Sequence, residues 1–247
     1  MIPLISAAWS HNVEVLTINE KESTSFLDKL LELKNPDLIF SSADDGRFSN
    51  SISLNQNAID FNLESKVSKT ENEIALSICT SGSTGEPKVV QLTLENIISF
   101  FKAWDEKLPW RETEYFASIA HPAFDIGVAE LIFPLWKDWN IKLFNKSILS
   151  DPTLLQRELL DVTAFHMVPT LLDSWIDGAE SDEKERLIMT GGDKVPPYLH
   201  EKLKQKFPNA QLFQFYGPSE CSVLASGFAN KGQFENNLLP LGTPFKH

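Results

Sequence analysis

The chain alternates short apolar segments with longer amphipathic ones along almost its whole length, and this alternation limits the folds that it can adopt. The short segments have the length and pattern of strands, and the longer ones place apolar residues at helical spacing. A predicted helix at residues 25–33, for example, is followed by a predicted strand at 37–41. Such an α/β rhythm predicts largely parallel sheets layered between helices, with ligands at the loops beyond the strand ends.

The predicted elements cover most of the chain. Residues 42–72 are the exception, because their Ser, Asn, Asp, Gly and Glu content indicates surface loop with at most a short strand or two. The 247 residues are 42% hydrophobic, which suffices for the buried core of one or two domains. Strands are predicted at 13–18, 37–41, 74–79, 115–119, 162–167, 187–190 and 211–215, and helices at 2–9, 25–33, from about 93, 125–135, 152–160 and 196–206.

Charge and composition exclude several classes of partner. A net charge of -12 argues against a broad nucleic-acid surface, because affinity for a phosphate backbone comes mostly from clustered Lys and Arg. No apolar run approaches the roughly 18 residues that span a bilayer, so we expect no membrane partner. Cys79 and Cys221 lie far apart, without C-x-x-C spacing or a secretory signal ahead of them. We therefore expect a reducing, cytoplasmic location and no zinc site.

A polar segment at residues 80–88 is suited to binding phosphate. Its hydroxyl side chains and glycines can surround phosphate oxygens with O–H and N–H donors, and a lysine adds positive charge. A Walker A loop is excluded, because Pro87 stands where a glycine is required and Val89 where a Ser or Thr binds magnesium. The candidate phosphate-binding residues are Thr80, Ser81, Gly82, Ser83, Thr84, Gly85 and Lys88.

Three further segments lie at the ends of predicted strands or the start of a predicted helix. By themselves, they have ordinary explanations: a double glycine and a Gly-Pro pair are common in turns, and Asp125 could be a helix N-cap. His121 could be a packed or surface residue. The segments are His121-Pro122-Ala123-Phe124-Asp125, Thr190-Gly191-Gly192-Asp193 and Gln214-Phe215-Tyr216-Gly217-Pro218-Ser219-Glu220.

Together, these four segments resemble the signature segments of the acyl-adenylate-forming enzymes, a superfamily of AMP-dependent ligases. That family includes acyl-CoA synthetases, luciferases and the adenylation domains of nonribosomal peptide synthetases. Ser219 replaces the family's threonine, and Val89 replaces the glycine that usually follows the lysine. The resemblance implies an enzyme that uses ATP and Mg²⁺ to activate a carboxylic acid as acyl-AMP with release of pyrophosphate, for transfer to the thiol of a carrier protein or CoA.

The resemblance also implies roles for individual residues. The loop at 80–88 covers the β- and γ-phosphates, Tyr216 lies against adenine, Ser219 lies near the α-phosphate and Glu220 binds Mg²⁺. Lys88, Ser219 and Glu220 are the implied catalytic residues. The implied nucleotide-binding set adds Gly191, Gly192, Asp193, Gln214, Phe215, Tyr216, Gly217 and Pro218 to the loop residues.

Asp125 points to the amino-acid-activating branch, close to D-alanyl carrier protein ligases and peptide-synthetase adenylation domains. In that branch the aspartate binds the α-ammonium group of the substrate. The small residues Ala129 and Gly191 are then expected to leave moderate room for the acyl group. The implied substrate residues are His121, Asp125, Ile126, Ala129, His166, Met189, Gly191, Phe215, Val223 and Leu224.

The resemblance covers nearly the whole chain and implies that residues 1–247 are part of the large N-terminal adenylation domain. In the full family, downstream sequence supplies an aspartate for the ribose, a hinge and a small C-terminal domain with a lysine that bridges carboxylate and α-phosphate. We expect low activity from a chain without them. Two alternatives stay open: a fragment of an aryl- or fatty-acid:CoA ligase, and a nucleotide-binding domain without turnover.

Overall fold

The computed structural model describes residues 1–19, 21–41, 51–53, 73–81, 87–110, 115–229 and 240–246. Its helices are α1 (Ile2–Ser10), α2 (Thr24–Lys34), α3 (Leu94–Lys107), α4 (Asp125–Trp136), α5 (Lys146–Ser150), α6 (Pro152–Glu158), α7 (Pro169–Gly178) and α8 (Pro197–Lys206). Its strands are β1 (Val15–Thr17), β2 (Ile39–Ser41), β3 (Ser51–Ser53), β4 (Ile74–Ser81), β5 (Pro87–Thr93), β6 (Phe116–Ser118), β7 (Ile141–Leu143), β8 (Ala164–Met167), β9 (Leu187–Gly191), β10 (Gln211–Tyr216), β11 (Ser226–Ala229) and β12 (Thr243–Pro244). A short 3₁₀ turn spans Ser219–Cys221.

The largest sheet has seven strands in the order β12-β11-β10-β9-β8-β6-β7. The five strands from β10 to β7 are parallel, and β11 and β12 add an antiparallel edge. A second sheet has the order β1-β4-β5, and β2 pairs with β3. The predicted α/β class with largely parallel sheets is confirmed.

The seven-stranded sheet has a hydrophobic core on each face, because side chains alternate along its strands. The first core joins one face to α3, α4, β4 and β5, and includes Met189 and Phe213. The second core joins the other face to α6, α7 and α8, and includes Ile188 and Leu212. The helices α3 and α4 therefore lie between the two larger sheets.

Aromatic packing fixes α4 against α3. Trp104 of α3 is fully buried, and its ring centroid lies 4.6 Å from that of Phe133 on α4. The start of α3 is fixed by a capping box, in which Thr93 Oγ1 accepts from the Asn96 N–H and the Asn96 side chain accepts from the Thr93 N–H. The predicted helix start near Thr93 is confirmed.

The segment at 80–88 differs from the loop that the sequence predicted. Strand β4 extends to Ser81, and β5 begins at Pro87 and pairs with it antiparallel, with Thr80 opposite Lys88. A strand was missed here because Val90 and Leu92, which pack in the first core, were not recognised as an alternating pattern. The loop residues Gly82, Ser83, Thr84 and Gly85 lie outside the described residues.

The remaining differences concern short or irregular elements. The sequence did not predict β7, α5, α7, β11 or β12, whereas the other predicted helices and strands agree to within a few residues. Of the predicted loop at 42–72, the structure describes only β3. No helix in the described part of the chain is long and apolar enough to cross a membrane.

Candidate active site

Three of the four segments lie at one edge of the seven-stranded sheet. Strand β6 leads through residues 119–124 into α4, β9 leads into Gly192, and β10 leads through Gly217 into the 3₁₀ turn. Because the carboxyl ends of parallel strands share an edge, this topology brings the segments together at a common rim. The remaining segment, at 80–88, belongs to the β4–β5 pair, and β5 contacts the 3₁₀ turn.

Asp125 is the first residue of α4 and is 9% exposed. The N-cap position belongs to Phe124, so the interpretation of Asp125 as an N-cap is wrong. Asp125 Oδ1 instead accepts a hydrogen bond of 2.6 Å from the Ile126 N–H, where the helix dipole favours negative charge. Its Oδ2 is buried and has no hydrogen-bond partner among the described residues.

The charges and dipoles around Asp125 identify its neighbours. Burial is the largest influence and raises the pKa of its carboxyl. The nearby Ser219 hydroxyl, the hydrogen bond from the Ile126 N–H and the His166 ring partly lower that pKa, and the charge of Glu220 raises it further. Asp125, His166, Ser219 and Glu220 therefore form one electrostatic group, drawn from α4, β8 and the 3₁₀ turn.

Glu130 and His166 form a buried pair next to this group. Glu130 is fully buried, His166 is 3% exposed, and Glu130 Oε1 lies 3.2 Å from His166 Nδ1. Glu130 Oε2 accepts from the N–H groups of Ile119 at 2.6 Å and Ala120 at 2.8 Å. The sequence analysis missed Glu130, although a single acid in an otherwise apolar helical stretch is a signal for a buried, partnered carboxylate.

The residues implied to hold adenine lie around the ends of β9 and β10. Tyr216 is 49% exposed, and Gln214 is buried, with no partner for its Oε1 in the described structure. Gly192 has a φ of +84°, which favours glycine, and a Cβ there would lie 3.6 Å from Val168 Cγ1. Asp193 Oδ1 accepts from the Lys194 N–H. Val168, which the sequence analysis did not select, thus borders this surface.

Two glycines in these segments are explained by close backbone contact. A Cβ on Gly191 would lie 2.6 Å from the carbonyl oxygen of Phe215, and one on Gly217 would lie 2.3 Å from the Cα of Leu224. Pro218 follows as the N-cap of the 3₁₀ turn. The glycines therefore permit the strand ends and the turn to pack.

The implied acyl-pocket residues are mostly part of the first core. A cavity of about 10 Å³ lies beside Asp125 and is bordered by Ala129 and Val223. A Cβ on Gly191 would meet the Phe215 backbone, so the absence of a side chain at this position serves close packing of β9 and β10. The buried members are Ala129, Met189, Phe215, Val223 and Leu224, and Ile126 packs against them.

The exposed polar candidates lie around the same rim. His121 is exposed, and its Nδ1 accepts from the Ala123 N–H at 3.1 Å. Glu220 is exposed on the 3₁₀ turn, and Lys88 is exposed on β5 opposite Thr80. Among the described residues, no group of three or more His, Cys, Asp or Glu could hold a metal ion. The exposed Glu220 carboxylate fits a magnesium ion that takes its other ligands from phosphate and water.

Comparison with known protein families identifies this arrangement. Residues 10–247 match the family model described as AMP-binding enzyme. The chain belongs to this family. Its relatives are adenylate-forming ligases, among them nonribosomal peptide synthetases and a D-alanine ligase. The resemblance inferred from the sequence is thus confirmed.

One relative is D-alanine--D-alanyl carrier protein ligase of Bacillus licheniformis, which is 29% identical over 174 residues. That alignment covers 67% of this chain and 35% of the ligase. A four-domain nonribosomal peptide synthetase, solved with AMP and glycine, is 22% identical with a TM-score of 0.81, covering 98% of this chain and 18% of that one. O-succinylbenzoate coenzyme A synthetase of Bacillus subtilis, solved with AMP, is also 22% identical, with a TM-score of 0.82, covering 98% of this chain and 64% of that one.

These solved structures share the fold of this AMP-binding chain. The chain spans about a third of the D-alanine ligase and less than two thirds of either solved chain. The relatives include enzymes whose names specify amino acids and one whose name specifies a coenzyme A thioester.

Proposed function

We propose that this chain is part of the large N-terminal region of an adenylation domain that activates an amino acid with ATP. One observation carries the proposal: Asp125 presents a buried carboxylate oxygen, Oδ2, that no described residue satisfies. An unpaired buried acceptor costs on the order of 1–3 kcal/mol, and more when it is charged. An ammonium group placed against Oδ2 offsets that cost with a charge-assisted hydrogen bond.

The surroundings of Asp125 support a cationic ligand. Burial disfavours the charged form of its carboxyl, and the nearby Glu220 raises the pKa further. A positive ligand group relieves both effects at once, because it compensates the desolvated charge and the repulsion from Glu220. A plain carboxylic acid has no such group, so it leaves Oδ2 without a donor.

The exposed residues at the rim suit the activation step. Attack of a carboxylate on the α-phosphate brings two anions together, so donors and cations must hold both. In our proposal Ser219 donates to the α-phosphate, Lys88 neutralises phosphate charge and Tyr216 lies against adenine. Mg²⁺, when bound at Glu220, neutralises phosphate charge. The N–H groups of Gly191 and Gly192 belong to the surface for adenine.

We also infer that full activity requires a further C-terminal domain and a thiol acceptor. Support comes from the length of the D-alanine ligase, of which this chain covers 35%. The names of the relatives suggest a carrier protein or coenzyme A as acceptor. The amino-acid hypothesis favours the carrier protein.

The first test measures binding, because binding does not depend on turnover. The chain is titrated with alanyl sulfamoyl-adenosine, a stable mimic of the aminoacyl-adenylate, and with its propionyl counterpart, which lacks the amino group. We expect tenfold or greater preference for the alanyl compound. Equal affinities for the two mimics would instead favour a CoA ligase. A chain that binds ATP but neither mimic would favour a domain that only binds nucleotide.

The second test measures chemistry. Amino-acid-dependent exchange between ATP and pyrophosphate is recorded across a panel that includes D-alanine and glycine, with and without a separately supplied C-terminal domain from a relative. Exchange that requires both an amino acid and the added domain supports the proposal in full. Exchange with plain acids alone contradicts it.

A further inference from the structure

Glu130 is a fully buried acid on a helix that is otherwise apolar around it. Its neighbours in sequence, Ala129 and Leu131, are buried members of the hydrophobic interior. A buried carboxylate is costly unless its oxygens accept hydrogen bonds or face a positive charge. The contacts of Glu130 therefore indicate what retains it there.

Both carboxylate oxygens of Glu130 are used. Oε2 accepts from two consecutive backbone N–H groups, those of Ile119 and Ala120, just beyond the end of β6. Oε1 lies 3.2 Å from Nδ1 of His166 on β8. Glu130 thus connects α4 to β8 and to the residues just beyond β6, which lead into Asp125.

The contact with Glu130 determines which nitrogen of His166 carries the proton. A carboxylate only accepts hydrogen bonds, so Nδ1 must be the donor. In the neutral ring the other nitrogen, Nε2, then has the free lone pair. Nε2 lies on the side of the ring opposite Glu130.

His166 stands close to the proposed amino-group site. It pairs in register with Met189 of β9, whose side chain lies in the first core. Its partner Glu130 also accepts from Ile119 and Ala120, which lead from β6 into Asp125, so His166 and Asp125 lie at the same rim of the sheet. A hydrogen-bond acceptor on His166 therefore lies in the region where an amino group is proposed to bind.

We propose that Glu130 is a positioning residue: it holds His166 in the tautomer whose Nε2 acts, beside Asp125, as a second acceptor for the substrate's amino group. An ammonium group has three N–H donors, and Asp125 Oδ2 satisfies one of them. Nε2 satisfies another. This inference rests on the proposed amino-acid activation, and it explains why a histidine fixed by a carboxylate occupies an otherwise apolar interior.

The substitution Glu130→Gln tests the idea with little change in shape. Its amide oxygen can accept from the two backbone N–H groups, which leaves the amide NH₂ facing His166 Nδ1. Nδ1 must then accept, and the proton moves to Nε2. The variant therefore converts Nε2 from an acceptor into a donor that opposes an ammonium group.

The tautomer is measured first, by ¹⁵N NMR of the imidazole nitrogens in the whole chain at a pH where the rings are neutral. His166 is one of five histidines, so its signals are assigned by their loss in His166→Gln. We expect Nδ1–H in the unsubstituted chain and Nε2–H in Glu130→Gln. Nε2–H in the unsubstituted chain would overturn the proposal, whatever the chain binds.

Binding of the alanyl and propionyl sulfamoyl-adenosines is measured next. We expect Glu130→Gln to weaken alanyl binding about tenfold or more and to leave propionyl binding within about twofold. Glu201→Gln, an exposed position on α8, serves as the matched control and should change neither affinity. Equal losses for both compounds in Glu130→Gln would show a merely structural role and overturn the inference.

A second variant covers the case in which Glu130→Gln folds poorly. His166→Asn places an amide N–H near the position of Nδ1, where it can still donate to Glu130, and has no atom at the position of Nε2, so it should also lose the preference for the alanyl compound. The double variant should lose no more than either single one, because both act on one interaction. If the unsubstituted chain prefers neither compound, the proposed function is wrong. The NMR measurement of the His166 tautomer does not depend on that outcome and tests the role of Glu130 separately.

Discussion

Replacing Asp125 with asparagine should affect binding and stability in opposite directions. Asn keeps the shape and an acceptor for the Ile126 N–H, which now donates to Asp125 Oδ1 at 2.6 Å. It removes the negative charge and places an NH₂ group where Oδ2 lies. Hydrogen bonds to charged groups are worth about 1.5–3 kcal/mol, so binding of alanyl sulfamoyl-adenosine should weaken by about 10- to 150-fold.

The stability of Asp125→Asn follows from the pKa of the aspartate. Burial raises that pKa in the folded state, so the folded chain binds the proton more tightly than the unfolded chain. The ordinary pKa of an aspartate is 3.8. As the pH rises from this value through the raised pKa of the folded state, ionisation of Asp125 lowers the free energy of unfolding, and the loss is complete once the pH exceeds the raised pKa. Asparagine has no such loss, so the variant should be at least as stable at neutral pH.

The assays are isothermal titration calorimetry and urea unfolding between pH 4 and pH 8. Asp177→Asn on α7 is the control, because that aspartate is exposed and pairs with Lys202 at the surface. It should leave binding unchanged. A variant Asp125→Asn that binds the alanyl compound normally, or that loses stability at neutral pH and not in acid, would refute the reasoning.

Three further predictions test the packing and the charges. Gly191→Ala places a Cβ 2.6 Å from the Phe215 carbonyl oxygen and should lower the free energy of unfolding in urea by about 1–3 kcal/mol. As the control, a Cβ at Gly178 would meet nothing within 4 Å, so Gly178→Ala should be neutral or stabilise the chain by up to about 1 kcal/mol. Thr93→Ala removes the cap of α3 and should cost about 0.5–2 kcal/mol in the same assay. Burial, and then the charge of Lys204, lower the pKa of His200 to about 4. The unsubstituted chain should therefore lose stability as the pH falls from 6.5 to 4, by on the order of 3 kcal/mol at most, and His200→Gln should not show this loss.

Each of these expectations has a clear contrary result. Equal effects of Gly191→Ala and Gly178→Ala would show that the β9–β10 contact is not tight. An unchanged unfolding free energy in Thr93→Ala would mean that the cap contributes nothing. Parallel pH profiles of unfolding for the unsubstituted chain and His200→Gln would mean that His200 titrates alike in both states.

Much of the fold could be predicted from the sequence, because the parallel strands and their helices have clear periodicity. The strand predicted at 187–190 and the helix predicted at 125–135 agree with β9 and α4. Strand β7 was missed because three residues, Ile141–Leu143, are too few to show a period. In α7, by contrast, Leu172, Trp175 and Ile176 have helical spacing and are buried, so a usable signal was overlooked.

The candidate site was harder to predict than the fold. Sequence motifs indicated Asp125 and Ser219, and the structure brings them close enough for the Ser219 hydroxyl to influence the aspartate. Glu130 belongs to no motif, and its importance depends on two backbone N–H groups and a histidine 36 residues away. Periodicity and motif spacing report on residues that are near one another in the sequence. They therefore could not predict contacts between residues that are far apart in the sequence.

The second core stabilises the sheet from the face opposite Asp125. Buried Arg186 donates to the carbonyl oxygens of Leu159 and Val162, and Trp175 stacks on Phe207 with ring centroids 5.2 Å apart. The sheet separates these contacts from the residues around Asp125. Substitutions on the two faces should therefore have nearly additive effects on the free energy of unfolding. The residues around Asp125 can therefore be substituted without touching the contacts that hold the opposite face of the sheet.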